Sequence, residues 1–138
     1  MLTFDKISYS LLNSRQQETF NFQKVSAVLA DYGFATIKLN DDWQGADFIA
    51  QHIDGIRYLK VQLKGRLTFD KKYLGKEIFI CFHYQGHWYL YPHDEVLTLF
   101  LNTYSSTMAV SKSWLEGGLY TYPKISIQQI ELLSKYRL

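Results

Sequence analysis

Ala46–Gly65 reads ADFIAQHIDGIRYLKVQLKG. Two runs rich in strand formers, Ala46–His52 and Ile56–Gly65, flank Asp54-Gly55, the dipeptide best suited to a tight hairpin turn. If that turn closes a two-residue loop, Ile53 faces Ile56 and Asp47 faces Gln62 further along the ladder. Cross-strand partners hold their Cβ atoms about 5 Å apart on one side of a sheet, and Lys64 shares that side with Gln62 because side chains alternate along a strand. Phe48, Val61 and Leu63 point the other way, into apolar packing. A slip of one residue would move Asp47 to the face opposite Gln62 and Lys64, so the register decides whether the three groups meet.

Upstream of the hairpin, Ser14 and Gln17 have the spacing of a capping box, and Phe22, Val25, Leu29 and Tyr32 follow at helical steps as far as Gly33. Four residues back along that stripe stands Glu18, a carboxylate expected on the inward face. Phe34–Leu39, between Gly33 and the turn-rich run Asn40, Asp41, Asp42, reads as a strand. Downstream, Ile78–Tyr84 and His87–Tyr91 form a second hairpin around Gln85-Gly86. After Pro92 a helix runs over His93–Leu101, with Asp94 and Glu95 in its first turn. Residues 103–122 are polar and aromatic with a Gly117-Gly118 break, and a last helix opens at Ser126, which pairs with Gln129 as a capping box. The order helix, three antiparallel strands, connection, two strands, helix predicts a mixed α/β (α+β) layer protein with a five-stranded sheet flanked by helices. One domain is expected over residues 1–138, with its core in 14–102 and a C-terminal extension carrying the last helix in 103–138.

The 138 residues are 47% hydrophobic and 20% charged, the balance of a globular chain and not of a disordered one. A chain of this length can bury enough surface to stand without a disulfide or structural metal. Its single cysteine, Cys81, excludes an intramolecular disulfide framework and fits a reducing compartment. The first ten residues lack the pattern of a secretory leader, and no apolar run approaches the length of a membrane span, so a soluble cytoplasmic protein is expected. The formal net charge is +2, but Arg57–Lys76 holds seven basic residues against Asp70 alone. Such a basic segment is what a phosphate backbone attracts; it is also what a solvated lysine-rich loop looks like.

An acid, an amide and a lysine on adjacent strands suit a hard divalent cation, which takes carboxylate and carbonyl oxygens and completes its shell with water and phosphate. Lys64 would stand beside the ion and offset charge that builds on phosphoryl oxygens. Here the chain resembles a known family. Asp47 followed by Gln62-Leu63-Lys64 on the next strand is similar to the PD-(D/E)XK nuclease superfamily, with its restriction endonuclease-like fold, and the glutamine form of the second motif is similar to Mrr-type endonucleases. The resemblance runs from the helix around Glu18 to the hairpin ending near Tyr91. It implies a mixed sheet that begins as a β-meander, and Mg²⁺- or Mn²⁺-dependent hydrolysis of phosphodiesters by Glu18, Asp47, Gln62 and Lys64. By the same resemblance Glu18, Asp47 and Gln62 hold the metal. Nucleic acid, DNA in preference to RNA, is the expected partner, bound through Lys60, Arg66, Lys71, Lys72 and Lys76, with a homodimer as a candidate assembly. Ala46 stands where the family has proline. The family's helix between the third and fourth strands has only Arg66–Lys76 to form in, while parallel crossovers usually use a dozen residues or more.

Each of these features has a plainer counterpart. Lys60, Gln62, Lys64 and Arg66 can be the wet face of an amphipathic strand, and Glu18 an exposed acid near a helix start. The Gln85-Gly86 turn pairs His83 with Trp88 and His87 with Tyr84, which puts the two histidines on opposite faces and argues against shared metal ligation. Trp114, Tyr120 and Tyr122 can stack bases, but aromatic residues beside a glycine break more often close over a core. Cys81 reads as inert packing. With a neutral glutamine in place of an acid, the alternative to a nuclease is a catalytically inactive domain of the same fold that binds nucleic acid or a protein partner. A small interaction domain with no nucleic-acid role is the third reading.

Overall fold

A computed structural model describes residues 2–43 and 45–138. The chain begins with helix α1 (Ser14–Ala30) and continues through strands β1 (Phe34–Trp43), β2 (Ala46–His52), β3 (Tyr58–Leu63), β4 (Leu67–Asp70), β5 (Ile78–Tyr84) and β6 (His87–Pro92). Helix α2 (His93–Thr103), strand β7 (Leu119–Tyr122) and helix α3 (Ile127–Leu133) complete it. Five strands form one mixed sheet in the order β1-β2-β3-β5-β6, and β4 pairs with β7 in a second, two-stranded sheet. The meander β1-β2-β3 is antiparallel, β3 and β5 are parallel, and β5-β6 is antiparallel again.

The hairpin register is the one the sequence predicts. Phe48 pairs with Val61, Ile49 with Lys60, Ala50 with Leu59 and Gln51 with Tyr58, so the same register carried one step further sets Asp47 opposite Gln62. The turn is wider than expected. The strands close through the His52 N–H donating to the Arg57 carbonyl at 2.9 Å, which leaves residues 53–56 as a four-residue loop. Asp54 builds that loop: its carboxylate accepts from the N–H groups of Ile56 and Arg57 and from Arg57 Nε at 2.8–2.9 Å. The Arg57 amide and guanidinium hold the Asp54 carboxyl well below the usual carboxylate range. At the other hairpin the pairs His83–Trp88 and Tyr84–His87 form as predicted, around Gln85 and Gly86, both at positive φ as a two-residue turn of this hand requires.

The start of α1 corrects the expected cap. Asn13 and not Ser14 is the N-cap, its side chain accepting from the Gln16 N–H while Gln16 Oε1 accepts from the Asn13 N–H, both at 2.9 Å. Asparagine caps as well as serine, and shifting the box by one lets Ser14 open the helix. Ser126 and Gln129 form the predicted box at α3. The α1 stripe buries Val25 and Leu29 against Phe48, Ala50, Val61 and Cys81, whereas Tyr32 lies past the helix end and is exposed.

The larger core lies on the other side of the sheet, where Ile80, Phe82, Tyr89 and Tyr91 pack with Val96, Leu97 and Phe100 of α2. Burying each such side chain contributes roughly 1.5–3 kcal/mol. Met108, Trp114 and Leu133, in the stretch read as an extension, belong to this same cluster, with Tyr120 and Tyr122 packed against it. These aromatic residues close over the core.

The parallel step from β3 to β5 has no crossover helix. Residues 64–77 instead hold β4 and a 3-10 turn over Lys71–Tyr73, and β4 finds its partner in β7, far along the chain. Sequence reasoning missed both strands, because each is four residues long and pairs only across a long separation. The connection is pinned by polar contacts. The Tyr91 hydroxyl donates to the Thr68 carbonyl at 2.6 Å, His93 Nε2 accepts from the Asp70 N–H at 3.0 Å, and Asp94 Oδ2 accepts from the Gly75 N–H at 2.9 Å. Among the described residues no helix is long and apolar enough to cross a membrane.

Candidate active site

Asp47 and Gln62 sit where β2 and β3 part company. Beyond the Phe48–Val61 pair the backbone ladder ends, and the Asp47 carboxylate takes over: Oδ2 accepts from the Leu63 N–H at 2.8 Å. A side chain thus satisfies a strand N–H that would otherwise lack a cross-strand acceptor. Gln62 is 8% exposed, and its Oε1 is buried with no hydrogen-bond partner among the described residues. Lys64 follows β3 directly, with its N–H donating to the Cys81 carbonyl at 2.9 Å, which fixes the start of its side chain. Its ammonium lies 5.6 Å from the centre of the Tyr73 ring.

Tyr73 is a residue that sequence reasoning did not single out. It is buried at the end of the 3-10 turn, and its ring also carries the Lys72 ammonium at 5.2 Å. The signal was present in Lys71-Lys72-Tyr73, an aromatic residue set within the basic run.

Glu18 departs from expectation. It is exposed and does not point inward with Val25 and Leu29, since the apolar stripe of α1 ends at Phe22. It does line, together with Lys64, an open cleft of about 730 Å³ between α1, the end of β3 and the β5-β6 hairpin. Among the described residues no group of three or more His, Cys, Asp or Glu side chains converges as a metal site. The oxygen donors that the hairpin register sets opposite one another are the Asp47 carboxylate and the neutral amide oxygen of Gln62. Both are hard oxygen donors, and such a set fits a Mg²⁺-sized ion that retains waters and takes substrate oxygens.

The basic run does not form one surface. Arg66, Lys71, Lys72 and Lys76 are exposed along the connection, with the Lys71 ammonium 5.1 Å from the Trp114 ring centre. Arg57 is engaged with Asp54, and Lys60 lines a separate cleft with Glu77, Asp94 and Glu95. Lys60 therefore does not continue the surface expected of it, because three carboxylates around its cleft offset its charge. His83 and His87 lie on opposite faces of β5-β6, and burial pushes the Cys81 thiol up, which leaves it an inert core residue.

No protein-family model matches the chain, and comparison with curated proteins returns no match. Among solved structures, the Holliday junction resolvase Hjc of the archaeal hyperthermophile Archaeoglobus fulgidus aligns at 16% identity and a TM-score of 0.44, covering 55% of this chain and 72% of its own. The bacterial homing endonuclease I-Ssp6803I aligns at 15% identity and a TM-score of 0.48, covering 91% of this chain and 88% of its own.

Proposed function

We propose that the protein is a metal-dependent nuclease of the PD-(D/E)XK type in its glutamine form, acting on DNA in preference to RNA. The observation that carries this reading is the buried Gln62 Oε1, which has no hydrogen-bond partner among the described residues and stands in the position that the hairpin register sets opposite Asp47. A buried carbonyl oxygen left this way costs about 1–3 kcal/mol, a cost that a ligand recovers. Asp47 and Gln62 would hold Mg²⁺ or Mn²⁺, and the bound ion would supply Lewis-acid polarisation of a phosphoryl oxygen and a more acidic water. Lys64 offsets negative charge on the phosphate and orients the attacking water, its ammonium steadied over the Tyr73 ring. Arg66, Lys71, Lys72 and Lys76 engage the flanking backbone phosphates, and Glu18 adds a carboxylate on the cleft side of Lys64.

The test is cleavage of labelled DNA and RNA in Mg²⁺, Mn²⁺, Ca²⁺ or excess chelator. Cleavage of DNA in Mg²⁺ and Mn²⁺, but not in Ca²⁺ or chelator, is expected. Asp47→Ala and Lys64→Ala should each reduce it by about a hundredfold or more with the circular dichroism spectrum unchanged. Cleavage that persists in chelator or survives Asp47→Ala overturns the reading. Salt-dependent binding without cleavage under any metal assigns the chain to the non-catalytic alternative, which the neutral charge of Gln62 favours.

A further inference from the structure

The cleft shared by Glu18 and Lys64 has a chemistry of its own. Its aromatic wall is Trp88 of β6, with His83 directly opposite on β5, ring centres 5.0 Å apart in an edge-to-face arrangement. Phe20 of α1 lines it too, with the Lys24 ammonium 5.3 Å from that ring centre, and Lys64 stands on the side nearest the candidate site. At about 730 Å³ the cleft lies inside the range of roughly 300–1,000 Å³ that small-ligand sites occupy. Its rim also carries the Asn21 carboxamide, held by an Nδ2–H donated to the Tyr9 hydroxyl at 2.9 Å.

We propose that this cleft binds one unpaired nucleotide, with the base against Trp88 and the flanking phosphates against Lys24 and Lys64. The inference rests on the nuclease reading and narrows its substrate to DNA with a single-stranded, flapped or frayed segment beside the scissile bond. Three features select that ligand. An aromatic wall stacks on a base only where the π-face of that base is exposed, and in a duplex that face is covered by its neighbours. Two ammonium groups against one carboxylate favour a polyanion. Lys64 lines the cleft and follows Gln62 by two residues at the end of β3, so a strand held at Lys64 would place one nucleotide in the cleft and run on toward the sheet end that carries Asp47 and Gln62. Of the aromatic residues that the sequence first suggests for stacking, Trp114 is buried in the other core and Tyr120 and Tyr122 pack against it, so none of them lines this cleft. Trp88 is only partly buried, packed against the α1-side cluster while it lines the cleft.

The test is fluorescence anisotropy without metal, on the Asp47→Ala protein, using labelled single-stranded, flapped and blunt duplex DNA of one length. Single-stranded and flapped probes should bind roughly tenfold tighter than blunt duplex, and Trp88→Ala should remove most of that preference. Trp88→Phe, which keeps a stacking ring and the packing, should retain it, and Lys24→Ala, on the exposed face of α1, should weaken the single-stranded probe several-fold. Equal affinity for blunt duplex, or a preference unchanged by both Trp88→Ala and Lys24→Ala, overturns the proposal. The two readings fail separately. Blunt duplex cut as well as flapped DNA by the native protein removes the subsite and leaves the nuclease, whereas Trp88-dependent single-strand binding with no cleavage in any metal removes the nuclease and leaves the subsite.

Discussion

His93 and Gln62 are polar side chains in similarly enclosed surroundings, 0% and 8% exposed, yet the protein treats them in opposite ways. Both ring nitrogens of His93 are engaged. Nε2 accepts from the Asp70 N–H, so Nδ1 carries the proton and donates to Asp94 Oδ1 at 2.8 Å, while Asp94 also reaches the Gly75 N–H. This region is a joint: it fastens the β3-β5 connection to the start of α2. Around Gln62 the carbonyl oxygen has no such partner, and the neighbouring groups, Asp47 and Lys64, are those that chemistry on a phosphate would use. A buried polar group with all its bonds made holds a fold together; one whose acceptor is left over calls for a water, an ion or a ligand to complete it.

The largest expected effect is at the joint. His93→Ala should lower stability by about 3 kcal/mol in a denaturant titration, because it opens a cavity and strands the Asp70 N–H. A loss below about 0.5 kcal/mol would mean that the connection holds without His93 and would break the comparison from that side.

The same residue gives the joint a pH dependence. Burial holds His93 below the ordinary imidazole value against the opposing pull of Asp94 and Asp70. As pH falls below about 6.5 the unfolded chain takes the proton first, so the stability present above that pH is lost by at most about 1.4 kcal/mol per unit until the folded histidine also titrates. Unfolding measured between pH 7.5 and 5.5 should show this slope in the native protein and a flatter one in His93→Gln. Equal slopes would assign the dependence to other groups.

The smaller effects sharpen the other side. Gln62→Glu replaces an ion–dipole contact by a full charge and should raise Mn²⁺ affinity, measured calorimetrically without DNA, by roughly tenfold. Gln62→Leu removes the orphaned oxygen and should stabilise the fold by about 1 kcal/mol while ending cleavage. A Gln62→Leu protein less stable than the native one would show that the amide does structural work, and no gain in metal affinity for Gln62→Glu would place the ion elsewhere.

Much of the site was legible because it depends on strand periodicity. Asp54-Gly55 marked the hairpin, the period of two led to the expectation of one face for Asp47, Gln62 and Lys64, and the pairs 48–61 and 49–60 formed even though the loop is four residues long and not two. Register survived the wider loop because it rests on burying Phe48 and Val61 together, whatever the turn. Glu18 was misread for the converse reason: a helical stripe extrapolated past its last buried residue carries no information about what covers it.

The local chemistry of the chain by itself determined the helices, their caps, the two hairpins and the alternation that groups an acid, an amide and a lysine. The tertiary structure alone decided the rest. That β4 and β7 find each other across some fifty residues, that Trp114 goes to the core while Trp88 faces a cleft, and that the basic run divides between two clefts and an exposed turn all depend on contacts between distant segments. Periodicity reports which face of an element is apolar. It cannot report which other element covers that face, because closing a long loop is driven by the burial that only the assembled fold provides.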